Sequence, residues 1–312
     1  MQFVSTRQLA RAAGVSESSV KRWCDQGLIP SVKTAGGHRR VSLDAATEFL
    51  RRSTDPHVRP ELLGVPIRRG AGPPSIKRAA DEFFEALAAG DEELCRRIVF
   101  DLHLAGEPAS KICDAVVAEA FHGVGAAWEC DQLQVYQERR GCGLCLQLLS
   151  EAKLVIPEAK GEAPLAIGGT PQGDPYELPT AMVELVLRQN GWRSRSLGSR
   201  LPFETLLKAI DEVRPQLFWL SVSHIDDEAA FLDGYRQFFQ QVPAEVVTVV
   251  GGRALTDGLR RQMNFAAHCD NLQQLEKFAE VLKRSLSRPG EPGVTLAAAE
   301  TPLRPRRGSS RA

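Results

Sequence analysis

The chain has 312 residues, 43% of them hydrophobic and 25% charged, and its formal net charge is zero. These values exclude a disordered or collagen-like chain and point to two or three packed domains. No stretch approaches eighteen apolar residues and residues 1–7 lack the apolar core of a signal peptide, so the expectation is a cytoplasmic protein that does not enter a membrane.

The zero balance hides an asymmetry. Residues 1–59 carry ten Lys and Arg against five Asp and Glu, a net +5, and the remainder is net −5. A basic head on an acidic body suits a head that meets phosphate. Ser5 is placed to cap a helix running to Ala13, and Gly14-Val15 supplies a turn. Ser16 then caps a second helix through Asp25, with Glu17 in its electropositive first turn. Val15, Val20 and Trp23 fall where two such helices need apolar contacts. Ser16, Ser18, Ser19, Lys21 and Arg22 take the exposed side, with sizes and charges that reach phosphates and base edges in a major groove. Residues 32–41 read as two short strand pieces around Gly36-Gly37, a wing with Arg39 and Arg40 on backbone phosphates and Lys33 and His38 as further DNA-binding candidates. A third helix from Leu43 to Arg52 closes the small core with Ala46, Phe49 and Leu50.

Composition divides the rest. Residues 54–74 are rich in Pro and Gly and read as a flexible linker. Residues 75–160 are helical, with Phe83, Phe84, Leu87, Leu94, Ile98, Val99 and Leu102 at helical spacing as bundle core. From 161 to 286, short apolar runs alternate with amphipathic helices. Strands are expected at 164–167, 193–197, 217–221, 246–250 and 264–268, with helices at 177–190, 203–213, 226–241 and 272–286. That alternation predicts a flavodoxin-like, doubly wound parallel sheet, which takes ligands outside the carboxyl ends of its strands. The tail, 287–312, reads as disordered. The fold class is therefore multidomain: a mainly α winged helix-turn-helix, a four-helix bundle and an α/β sheet. Of seven cysteines, only Cys142 and Cys145 are closely spaced, and their C-x-x-C sits in an apolar helical run. A redox or half-zinc site is the alternative to buried structural thiols, and the second reading is preferred. No metal site is assigned.

The string from Thr6 to Arg40 resembles the MerR and excisionase-like winged helix-turn-helix family, through Gly14-Val15-Ser16, Val20-Lys21-Arg22-Trp23, Gly27-Leu28-Ile29 and Gly37-His38-Arg39-Arg40. Residues 75–286 resemble the cobalamin-binding module. The combination resembles the light- and B12-responsive repressors of carotenoid genes. Landmarks are Asn190-Gly191-Trp192, Leu220-Ser221-Val222-Ser223 and Val250-Gly251-Gly252. By that resemblance Ser221, Ser223, Gly251 and Gly252 would accommodate the corrinoid's nucleotide tail. Trp128 would cap the upper axial group and Glu138 would hydrogen-bond it, while Arg139 stands where the family has His. The family's Asp-x-His-x-x-Gly loop reads Asp174-Pro175-Tyr176-Glu177-Leu178-Pro179, so Tyr176 replaces the imidazole below cobalt and Pro179 replaces the glycine. A phenol that titrates near 10 is a poor cobalt ligand beside imidazole.

The resulting expectation is a sequence-specific DNA-binding regulator, a repressor rather than an enzyme. Its sensor and oligomerisation module would not bind cobalamin through a histidine. Partners would be duplex DNA with a palindromic operator, further copies as a dimer or tetramer, and, by resemblance, an antirepressor protein. Three alternatives stay open. One is a cobalamin- or haem-responsive sensor, with His122, His224, His268, Cys130, Cys269 and Tyr176 as candidate axial haem ligands. The others are a corrinoid-dependent enzyme subunit and a protein-binding adaptor.

Overall fold

The structure, a computed structural model, describes residues 3–34, 36–52, 59–63, 76–123 and 134–287. Trp128, Cys130, most of the expected linker and nearly all of the expected tail lie outside the described residues.

The head begins with β1 (Phe3–Ser5), which runs directly into α1 (Thr6–Ala13). Ser5 closes a reciprocal cap: its hydroxyl accepts the Gln8 N–H, and the Gln8 side chain accepts the Ser5 N–H at 2.8 Å. Gly14 ends α1 in the left-handed conformation at φ 70°, a backbone state glycine enters without a Cβ penalty. Ser16 caps α2 (Glu17–Asp25) by accepting the Ser19 N–H. β2 (Ser31–Lys33) and β3 (Arg39–Ser42) form the wing, and α3 (Leu43–Arg52) follows. β1 was not anticipated, because three residues are too short to show alternation. It pairs antiparallel with β3, Val4 opposite Val41, in a sheet ordered β1-β3-β2. Leu9, Val20, Ile29, Val41 and Ala46 are wholly enclosed, and Trp23 packs on Phe49 with ring centroids 5.1 Å apart. Within the stretch expected to be flexible linker, Pro60–Leu63 is a 3-10 turn. Arg59 donates its N–H to the Ala12 carbonyl and Leu63 is buried. A single leucine anchors that turn, which the surrounding Pro and Gly content concealed.

The helical block contains α4 (Ile76–Ala89), α5 (Glu92–Leu104), α6 (residues 109–123) and α7 (Val135–Val155) among the described residues. α6 includes a π turn at Cys113–Ala118. Phe83, Leu87, Ile98, Val99 and Leu102 are buried, while Phe84 and Leu94 are half-buried and pack against them. α3 of the head leans on α5 and α7, so one apolar core continues from the head into the block.

The last region contains β4 (Leu165–Gly169), α8 (Glu177–Gln189), β5 (Arg193–Ser196), α9 (Phe203–Val213), β6 (Leu217–Ser221), α10 (Glu228–Gln241), β7 (Val247–Gly251), α11 (Asp257–Arg260), β8 (Ala267–Cys269) and α12 (Leu272–Leu286). The five strands are parallel in the order β5-β4-β6-β7-β8, so the order reverses beside β4. One face of the sheet is covered by an aromatic core of Phe218, Phe231, Tyr235 and Phe238; the other packs Trp192, Trp219 and Val249 against Leu275 and Ala279. β8 starts three residues later than expected. Phe265 helped make the preceding run look like a strand, but it packs into the aromatic core ahead of the first strand pair, Val249 with Ala267. The four-residue α11 was also missed; Thr256 caps it.

Candidate functional site

Two regions collect the residues singled out above. In the head, the hydroxyls of Ser16, Ser18 and Ser19 gather at the start of α2, with Ser16 Oγ 2.7 Å from Ser18 Oγ and 2.9 Å from Ser19 Oγ. A helix start with small hydroxyls and a positive dipole end accepts phosphate readily. Ser16 is already engaged as the cap, so Ser18 and Ser19 are freer to turn toward a ligand. Lys21 and Arg22 are exposed on the same helix. Lys21 Nζ lies 2.9 Å from Glu17, whose carboxyl is held below its usual range by Lys21 first and Thr6 second. Exposed pairs of this kind are screened by water and contribute little, so Lys21 can exchange Glu17 for phosphate.

Lys33, His38 and Arg40 are exposed on the hairpin. Arg39 differs from the expectation. Its guanidinium donates to Asp25 Oδ1 at 2.6 and 3.1 Å, tying the hairpin to the end of α2. Residue order could not reveal this, because fourteen positions separate the partners. Arg39 acts as a brace here and Arg40 as the outward cation.

The second region is a cavity of about 590 Å³ between the helical block and the carboxyl ends of the sheet strands. It brings Glu138, Tyr176, Ser221, Ser223, Gly251 and Gly252 together on its wall; the expected Trp128 lies outside the described residues. Of the candidate haem ligands, His122, His268, Cys269 and Tyr176 line it. His224 does not, and pairs with Asp226 at 2.8 Å. Burial first, then Arg260, pushes the His268 imidazole below its usual range.

Asp174 organises the floor. Fully enclosed, it accepts the Tyr176 N–H at 3.0 Å and the Ser223 N–H at 2.6 Å. Burial raises its pKa and the backbone donors counteract that. The carboxylate staples the β4–α8 loop to the turn after β6, so both its oxygens are occupied. Arg253, which the sequence reading did not single out, places its guanidinium 5.0 Å from the Tyr176 ring centroid and donates Nε to the Ser223 carbonyl. Only the fold carries it there, 77 positions from the tyrosine.

A phenol beneath a fixed positive charge is a poor setting for a cobalt cation, and the group at the lower-ligand position is not an imidazole. The residues present therefore do not fit cobalamin held from that position. Pro179, expected to reshape the loop, is the third residue of α8, where its missing N–H costs no helix bond. Gly252, at φ 113°, would put a Cβ 2.2 Å from the Val222 carbonyl oxygen, so close backbone packing requires a glycine there with or without a ligand.

Cys142 lies on the cavity wall and Cys145 is buried behind it. Both thiols are free and burial pushes both up, which leaves little thiolate for redox or metal chemistry. Among the described residues no cluster of three or more His, Cys, Asp and Glu could hold a metal ion, and no helix is long and apolar enough to cross a membrane. The cavity's two sides are joined by Asp114 in the π turn, which accepts the Leu272 and Gln273 N–H groups at 2.9 and 3.0 Å, and by Ser110 donating to Glu276.

Comparison with known proteins matches the head and the helical block. Residues 3–54 match a family described as a helix-turn-helix domain, and residues 79–150 one described as a B12 binding domain. The chain is 21% identical over 291 residues to the HTH-type transcriptional repressor CarA of Myxococcus xanthus, covering 91% of this chain and 98% of that protein. It is 28% identical over 268 residues to CarH of the same organism, covering 78% and 87%. Among solved structures, the monomethylamine corrinoid protein of Methanosarcina barkeri superposes with a TM-score of 0.54 at 20% identity, over 66% of this chain and 99% of that one, a likeness of fold. The chain thus carries a helix-turn-helix domain and a B12-binding-type domain and is a distant homologue of CarA and CarH.

Proposed function

We propose that this distant relative of the CarA and CarH repressors represses transcription by seating α2 in the major groove of its operator, with β2 and β3 following the adjacent backbone. The carrying observation is the head itself: a closed apolar core presents Ser18, Ser19, Lys21 and Arg22 on one exposed helix, flanked by Lys33, His38 and Arg40. Copies of the chain would pair so that two heads read a palindrome, with the helical block and sheet setting their spacing. That role places the protein in the cytoplasm and requires no catalytic site. An antirepressor protein that covers α2 would relieve repression by competing for the same surface.

The cavity, in this reading, does not hold cobalamin through an imidazole at the lower-ligand position; Tyr176 under Arg253 supports that view. A mobility shift of the full chain with random-sequence and selected DNA at two salt concentrations tests the first part. Binding that weakens steeply with salt is expected, because cations on phosphates release counterions. No binding to any duplex in dilute buffer would remove the proposal and leave the adaptor reading. Absorbance titrations with hydroxocobalamin and haemin test the second part, and an unshifted spectrum is expected.

A further inference from the structure

Most charges on the cavity wall are already matched. Asp114 is committed to the first N–H groups of α12, and Arg260 lies between Asp257 and Asp270. Two charged groups are left over on opposite walls. Arg253 gives only Nε to the Ser223 carbonyl, and among the described residues no carboxylate meets its terminal nitrogens. Glu138, on α7, has no cationic partner among the described residues. Between these poles the wall is apolar, formed by Phe121, Leu178, Met182, Leu272 and Leu275.

We infer that the cavity binds an amphipathic monocarboxylate, its acid group on Arg253 and its apolar body along α8 and α12. The Tyr176 ring restrains the guanidinium and leaves its edge available, and a guanidinium edge matches a carboxylate with two parallel hydrogen bonds. Glu138 repels the acid group from the helical-block wall and so sets the orientation. About 590 Å³ lies within the range that encloses a small organic molecule with one or a few polar anchors. A neutral molecule of the same shape would gain nothing from Arg253, and a cationic one would oppose it. The bound molecule would touch Leu272, which Asp114 ties to the π turn of α6, so occupancy bears directly on how the two halves are held. This inference rests on the reading that cobalt is not ligated in the cavity.

The test uses the full-length protein and isothermal titration with decanoate, decanol and decyltrimethylammonium, each below its micelle concentration. Decanoate should bind about tenfold or more tightly than decanol, and the ammonium compound least. Arg253→Gln should remove about tenfold of the decanoate affinity and none of that for decanol, and Arg253→Lys should retain part of it. Unchanged thermal unfolding of both variants shows that the fold is kept. Equal binding of decanoate and decanol, decanoate affinity indifferent to Arg253→Gln, or no binding at all would each overturn the inference. A separate hydroxocobalamin titration distinguishes the two failures: tight binding there defeats the cobalt reading, whatever decanoate does.

Discussion

Arginines sit in contrasting settings in the head and in the cavity. On the head, Arg22 and Arg40 are exposed, and an array of such cations acts through number and reach. Salt screens it over about 8–10 Å, and it is indifferent to the loss of any one member by more than a fraction. At the cavity mouth one exposed guanidinium is held over one ring and against one carbonyl, so its fixed position rather than number is what distinguishes it. Arg39 belongs by position with the first group and by geometry with neither, since Asp25 holds it. Charge counting therefore finds a basic surface readily and a single positioned cation poorly.

The largest effect that would break this comparison is loss of the head alone. Val20→Asp puts an unpaired carboxylate into a fully enclosed site, and a penalty of about 3–5 kcal/mol should unfold the head. Circular dichroism should lose only part of its helix signal, and DNA binding should vanish. Retained DNA binding would contradict the core assignment. Next in size, Arg22→Ala with Arg40→Ala should weaken binding to all duplexes alike and reduce the salt slope by about 2. A change confined to one sequence would instead make them base readers.

A smaller effect belongs to the helical block behind the cavity. Glu151 accepts from Arg96 at 2.7 and 3.0 Å, and Arg96 holds its carboxyl below the usual range. A carboxyl lowered on folding contributes stability above its unfolded pKa and loses it as pH falls through the folded one. Glu151→Gln should therefore cost about 1 kcal/mol at pH 7, with the difference from the parent closing below the ordinary carboxylate range. Thermal unfolding at pH 7 and pH 3 checks the sign. The smallest effect is expected from Arg39→Ala, below about 1 kcal/mol in stability, since half-exposed pairs contribute little. Its DNA salt slope should stay at the parent value; a drop matching that of Arg40→Ala would return Arg39 to the phosphate-contacting set.

The head was legible because its signals are local. Ser5, Gly14 and Ser16 act within three or four residues, and the core residues Val20, Trp23 and Ala46 follow helix periodicity. The alternating region was legible for a similar reason, since β6, α9 and α12 coincide with their expected spans. Misses fell on elements whose pairing or packing is remote, namely β1 against β3, the 3-10 turn under α1 and β8 displaced by Phe265, and on α11, whose four residues are too few to show a period.

By itself, the order of residues determined the caps, the helical and strand periods, the substitution of Tyr176 for an imidazole and the basic excess of the first 59 positions. These are short-range properties of neighbouring side chains and backbone. The tertiary structure alone decided that Arg253 covers Tyr176, that Asp174 has both oxygens occupied by backbone donors, and that Arg39 is neutralised. Each depends on groups brought together by chain reversal across the sheet or hairpin, and the energy of a charge is set by those spatial neighbours and their exclusion of water.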